Sequence, residues 1–347
     1  MTSQKIKMLR ISLPYFFILI FFFMNSYIAV ASELNIYSHR QPFLINPFLN
    51  EFTKTTGVKT NVVYSTKGLA QRLKAEGSNS PADVILTVDI SRLQVYSDMN
   101  LLAHINSKIL KNNVPVHLRS QNDTWVSLSK RSRIIIISKS RVNPNSISRI
   151  EDLADKKWKG KICSRPGSHV YNRALMASLI AAHGSKVAEK WAAGLVSNLA
   201  RRPQGNDRAQ VKAIYEGQCD IAIINNYYYG KLKFSDNQEQ RNWANELSLI
   251  FPNQGQGDRG AHINISGGGI AKFSKNKKVA IKLLEFLSEE TSQNLYGEIN
   301  FEYPVNPRVT PTEELASWGN FKEDQIPISL IANLSQEAQK IIDRVGW

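Results

Sequence analysis

The sequence predicts an α/β fold divided between two lobes, and three observations lead there. Short apolar runs alternate with helical patterns from Leu34 onward, the signature of βαβ units and a largely parallel sheet. At 347 residues the chain is long enough for about two domains of roughly 100–200 residues each. The last third holds too few strands for a sheet of its own, so the chain is expected to leave the first lobe and later return to it.

Taken in order, Leu34–Tyr37 reads as a first strand and Ile45–Lys54 as a helix stopped before Gly57. Lys59–Tyr64 is the next strand, Gly68–Glu76 the next helix, and Ala82–Thr87 a third strand. Arg133–Ser138 carries four consecutive isoleucines, Ile134 to Ile137, and reads as a strand buried on both faces. A second alternation follows: a strand at Cys163, helices over Asn172–His183, Ala188–Asn198 and Ala209–Glu216, and a strand ending at Asn225. His262–Ser266 alternates and runs into Gly267, Gly268 and Gly269 before a helix over Val279–Leu287. A segment punctuated by Pro304, Pro307 and Pro311 leads to C-terminal helices. No period of 20–50 residues recurs, which excludes a solenoid.

The N-terminus has the pattern of an export signal. Lys5, Lys7 and Arg10 precede an apolar run from Ile11 to Met24, and Ala29-Val30-Ala31 supplies a small-x-small cleavage site. The run is shorter than the ~20 residues a membrane span needs, and Pro14 interrupts it. Residues 1–31 are therefore expected to be removed after about Ala31, in an exported, periplasmic protein. No Cys follows that site to receive a lipid.

The whole chain has 44 Lys and Arg against 29 Asp and Glu, a net charge of +15; losing Lys5, Lys7 and Arg10 leaves 41 against 29, or +12. Such a charge suits an anionic ligand, a lipid surface or an acidic partner. Export argues against nucleic acid, and the basic residues are dispersed; Lys272–Lys278 is a dense run and reads as a solvated stretch ahead of a helix. Cys163 and Cys219 each lie beside a short apolar strand, and neighbouring parallel strands would bring them together in an oxidising compartment. Spacing alone leaves the bridge open.

Most catalytic signatures are missing. Gly255-Gln256-Gly257-Asp258-Arg259-Gly260 spells G-x-G-x-x-G, but it follows Phe251-Pro252-Asn253 and enters a strand rather than a helix, so it is no dinucleotide fingerprint. The six histidines form no H-E-x-x-H, and no P-loop or G-x-S-x-G is present. An exported enzyme using Cys163 or a histidine is the poorly supported alternative. Tyr227-Tyr228-Tyr229 stands out, directly after an apolar strand and Asn225-Asn226, at the sheet edge where open α/β sheets bind ligands. A phenolate is a hard oxygen donor suited to a hard cation such as ferric iron; a sugar-stacking or interface cluster is the other reading.

Several further stretches carry a resemblance. Ser80 to Asp89, Ser129 to Arg133, Pro203 to Asp207, Asn226-Tyr227-Tyr228, Phe251 to Gln254, His262 to Gly267 and the terminal Gly346-Trp347 occur in order across the chain. On them the sequence resembles the periplasmic ferric-iron-binding proteins of bacterial iron ABC transporters. The resemblance implies a two-lobed type II periplasmic binding protein fold with two crossing hinge strands. Lobe 1 would take 32–133 plus 263–312, and lobe 2 134–262 plus 313–347. It implies no enzyme but a monomeric receptor that captures Fe³⁺ between the lobes and delivers it to an inner-membrane ABC permease.

The metal ligands it implies are Tyr171, Tyr227 and Tyr228. After the first strand the family often has Ser-x-Arg-His-Tyr, whereas this chain reads Ser38-His39-Arg40-Gln41-Pro42, so two donors are replaced by Gln41 and Pro42. Relatives with an Arg-Gln-Pro run complete the sphere with an anion, carbonate or bicarbonate. By that pattern Arg40 and Arg131 would hold the anion, Tyr37 would line the site, and His39 is the alternative nitrogen ligand. A receptor for an organic anion or a ferric chelate remains the alternative within the same class.

Overall fold

The computed structural model describes residues 33–347, so the expected leader and its cleavage site lie outside the described residues. The first part of the chain runs β1 (Glu33–Ser38), α1 (Pro42–Thr56), β2 (Lys59–Tyr64), α2 (Leu69–Glu76), β3 (Val84–Thr87), α3 (Ile90–Asp98), β4 (Leu102–Ala103) and α4 (Lys108–Asn113). The long strand β5 (Trp125–Ser138) leads to β6 (Ile162–Cys163), α5 (Val170–His183), α6 (Ser185–Ser197), α7 (Asp207–Tyr215), β7 (Ile221–Asn225), α8 (Asn226–Lys233), α9 (Gln238–Asn245) and β8 (Leu247–Ile250). The chain returns through β9 (Ile263–Ala271) to α10 (Lys277–Ser288), α11 (Glu290–Asn300), α12 (Glu313–Ser317), α13 (Ile328–Asn333) and α14 (Ser335–Val345).

The strands form one continuous sheet in the order β2-β1-β3-β9-β5-β7-β6. Parallel pairing joins β1 to both β2 and β3, and joins β6 to β7. The two returning strands are antiparallel and shared. From Trp125 to Ser132, β5 pairs with β9; from Arg133 to Ile137 it pairs with β7. A single strand therefore passes from one half of the sheet to the other, and β9 closes the circuit against β3. This is the mixed α/β architecture expected for a two-lobed binding protein with crossing strands.

Two elements are longer than the sequence suggests. Strand β5 starts eight residues before Arg133, because Ser127, Ser129, Arg131 and Ser132 are polar yet buried, and their partners are distant in sequence. Strand β9 runs straight through the glycine triplet. A Cβ on Gly267 would sit 2.8 Å from Leu93 of α3, and one on Gly268 3.0 Å from Leu284 of α10. Helices on both faces press against the strand there, and only glycine leaves them room.

Cys163 and Cys219 are bonded, with Cα atoms 5.8 Å apart, because the register sets Cys163 opposite Ala222. Closing a loop across 56 positions stabilises this half by about 4 kcal/mol in the chain-entropy picture. The C-terminal Trp347 is also an anchor. Its indole Nε1 donates to Ser164 Oγ at 2.9 Å, and its carbonyl accepts from Gly167 N at 2.9 Å. That clamp fixes the turn from which Tyr171 emerges.

Candidate metal centre

Helix α8 begins where β7 ends, so Tyr227 and Tyr228 occupy its first turn rather than a loop beyond the strand. Asn226 holds that turn in place: its side-chain oxygen accepts from Ser132 N at 2.8 Å, and its Nδ2 donates to the Phe301 carbonyl at 2.8 Å. Tyr171 comes from the first turn of α5, capped by His169, whose Nδ1 accepts from Tyr171 N at 3.3 Å. Two helix N-termini thus bring three tyrosines to one cleft, with partial positive charge that favours an anionic oxygen.

The Tyr227 hydroxyl donates to that of Tyr171 at 3.1 Å and receives a bond from Asn225 Nδ2 at 3.2 Å. The rings of Tyr227 and Tyr228 lie 4.4 Å apart. Burial and the neighbouring phenols raise the Tyr227 pKa well above its ordinary value and raise that of Tyr228 to about 12. Without a cation both are neutral phenols near neutral pH. Tyr229, excluded from the ligand set, instead packs edge-on against Trp318 with centroids 5.5 Å apart.

Cations surround the cluster. The Arg131 and Arg165 guanidinium carbons lie 5.4 and 5.2 Å from the Tyr171 ring centre, and Arg208 lies 5.4 Å from that of Tyr228. Beneath them Asp207 is fully buried and accepts from Arg133 at 2.8 Å and Arg165 at 3.1 Å. One carboxylate thus compensates two guanidinium groups. The phenols open into a cleft of about 270 Å³, also lined by His39, Gln41, Tyr64, Arg92, His169, Arg208 and Lys231. No acid lines it, and no ion pair engages Arg92, Arg208 or Lys231 among the described residues. Among the described residues, no group of three His, Cys, Asp or Glu side chains could hold a metal ion.

The wall built on β1 and β3 differs from the sequence-based expectation at three positions. Arg40 is buried and committed: its Nη2 pairs with Glu302 at 2.7 Å, and Nη1 donates to Ser266 at 2.7 Å. Burial raises the Glu302 carboxyl, but the Arg40 pair outweighs it and holds the group below its ordinary value. Arg40 therefore has an internal anion already and is not among the cleft-lining residues. Tyr37 is also absent from the lining, because its hydroxyl turns to Glu76 at 2.8 Å. His39 reaches the cleft, yet its Nδ1 donates to the Ser65 carbonyl at 2.7 Å. Its Nε2 must then accept from the Tyr96 hydroxyl at 2.9 Å, leaving no free lone pair. Burial lowers its pKa, which keeps the ring neutral.

Arg131 stays close to the phenols. Its guanidinium donates to the Val88 carbonyl and reaches Ser266 at 3.4 Å, while its Nε has no partner. Arg92, Arg165, His169 and Lys231 join the site without a distinct signal in the sequence. Arg208 alone had a pointer, since it directly follows the stretch Pro203 to Asp207. Burial and the charge of Arg165 lower His169 to about 3, and with Nδ1 accepting from Tyr171 N the neutral ring carries its proton on Nε2.

Comparison with known proteins places this geometry in a family. Residues 48–323 match the bacterial extracellular solute-binding proteins, and the chain belongs to that family. It is 41% identical to iron uptake protein A1 of Synechocystis over 316 residues, covering 91% of this chain and 87% of that one. Ferric iron-binding protein A of Mannheimia haemolytica, solved in an open conformation, is 46% identical, with a TM-score of 0.84 over 91% of this chain and 98% of that one. The Trichodesmium protein solved in complex with iron and citrate is 44% identical, with a TM-score of 0.86 over 91% of this chain and all of that one.

Proposed function

We propose that this member of the solute-binding family captures Fe³⁺ in the cleft between two lobes, through the phenolates of Tyr171, Tyr227 and Tyr228. The gathering of the three tyrosines in one cleft, with the Tyr227 and Tyr171 hydroxyls in contact, supports the reading. Its relatives are named for iron uptake and ferric-iron binding, and they are binding proteins rather than enzymes. The lobes would comprise 32–133 plus 263–312 and 134–262 plus 313–347, moving about β5 and β9 in a hinge closure. The protein would work in the periplasm as a monomer, catalyse nothing, and pass its cargo to an inner-membrane ABC permease.

Three phenolates neutralise Fe³⁺ and fill only part of a six-coordinate sphere. The uncompensated cations Arg92, Arg208 and Lys231, with Arg131 behind Tyr171, leave room for an anion carrying carboxylate or carbonate oxygens. That role falls to this group rather than to Arg40, whose charge Glu302 already meets. Carbonate or bicarbonate is the smaller candidate. The same cations favour a second reading, in which iron arrives as a chelate of an organic polycarboxylate.

Binding displaces a proton from each phenol, so affinity rises with pH and falls on acidification. Titrating metal-stripped protein with iron in bicarbonate, in citrate and in neither separates the anion readings. Tight binding with bicarbonate alone favours bare Fe³⁺ plus carbonate. Saturation only with citrate favours the chelate, and no binding in any of the three contradicts the iron reading.

A further inference from the structure

The basic run Lys272 to Lys278 forms a fixed turn between β9 and α10. Buried Asp83 pins it: Ser274 Oγ donates to Asp83 Oδ1 at 2.7 Å, and Asn276 Nδ2 to Oδ2 at 3.2 Å. The turn presents Lys275, Lys277 and Lys278 to solvent, and beside them Phe273 is 47% exposed. Lys272 Nζ stands 5.8 Å from the Phe273 ring centre. Lys59, exposed at the start of β2, adds to the same end of the sheet.

This arrangement is locally unfavourable. Lys277 and Lys278 occupy the first turn of α10, which has no acidic residue and no side-chain cap. Cations there oppose the helix dipole, and like charges repel along the turn. Phe273 among them leaves about half of its surface in solvent. A partner that supplies anionic groups together with an apolar layer would relieve both costs, and an anionic bilayer surface supplies both.

Position points to the same partner. The turn lies where β1 begins, for Asn276 Nδ2 also donates to the Glu33 carbonyl at 3.3 Å. In sequence, the apolar run ends at Met24, nine residues before Glu33, a reach of at most ~30 Å. With the expected leader still attached, this end of the molecule would be the one held near a membrane. The cleft residues His39, Gln41 and Val88 follow the opposite, C-terminal ends of β1 and β3.

We propose that the Lys272–Lys278 turn, with Phe273 and Lys59, is a docking surface for anionic phospholipid that keeps the protein on the membrane with its cleft facing solvent. Lysines contribute the salt-dependent part of adsorption and Phe273 the part that survives salt.

The test is co-sedimentation of residues 32–347 with phosphatidylcholine vesicles, alone or with about 30% phosphatidylglycerol, at low and at ~150 mM salt. The wild type should bind only the anionic vesicles. Lys275→Glu/Lys277→Glu/Lys278→Glu should weaken that binding at least ~10-fold, and the variant will fold because acids suit the first turn of a helix. Lys156→Glu/Lys157→Glu/Lys159→Glu, equal in charge change but elsewhere on the surface, should cost under ~2-fold. Phe273→Ala should remove mainly the binding left at high salt. Equal loss in the two triple variants would mean that net charge alone acts, and would overturn the proposal. So would a wild type that ignores phosphatidylglycerol or binds both vesicles alike.

Discussion

The two walls of the cleft hold their polar side chains in opposite conditions. On the wall built on β7, α5 and α8, three phenols face one another with raised pKa values, ringed by cations and by no free carboxylate. On the wall built on β1 and β3, His39 and Arg40 already have partners, in Ser65, Tyr96 and Glu302. One wall holds neutral phenols beside cations without partners, and the other is satisfied. If the phenols are the donors, the difference teaches that the metal is held from one side. Opening the cleft would leave the tyrosine set intact, and the opposite wall would act by covering the metal rather than by ligating it.

Tyr228→Phe should break the tyrosine wall most completely. It removes one hard oxygen and little else, so iron affinity in a chelate competition should fall by more than the ~10–100-fold typical of outer-shell changes. Thermal stability should stay near that of the wild type, which separates ligand loss from unfolding. Arg40→Ala should injure the other wall instead. Glu302 would be left buried and unpaired, at a cost of about 3–5 kcal/mol in denaturant unfolding. Replacing Arg40 and Glu302 together by Met should recover most of that loss.

Acidification sharpens the contrast. The phenols of Tyr227 and Tyr228 are protonated in the free protein and deprotonated in the complex, so iron binding should release protons and weaken as pH falls from 8 to 6. A proton-release titration, corrected for the chelator, checks the sign: uptake instead of release would contradict phenolate ligation. His39→Ala is expected to matter least for iron. Affinity should change under ~3-fold, while stability falls about 1–3 kcal/mol because Tyr96 and Ser65 lose a buried partner.

Much of this was legible in the sequence. Ile134 to Ile137 and Ile221 to Ile224 are apolar enough to mark central strands, and the tyrosine run marks the sheet edge that carries the phenols. The rest depended on contacts distant in the chain. The polar start of β5 hides a strand, because Ser129 bonds to Glu302, 173 residues away. Asn and Tyr are indifferent helix formers, so the start of α8 at Asn226 shows only once Ser132 and Phe301 hold it. Arg40 reads as an anion holder from a family pattern, and its pair with Glu302, 262 residues on, shows only once the chain is folded.

Visible absorption during a ferric titration of metal-stripped protein tests the central claim most directly, since phenolate bound to Fe³⁺ gives a charge-transfer colour that histidine and carboxylate ligands do not. The tyrosine wall predicts a band that saturates at one equivalent, survives His39→Ala and is lost or shifted in Tyr227→Phe and Tyr228→Phe. Tight iron binding with no such band, or a band unchanged in both tyrosine variants, would contradict it.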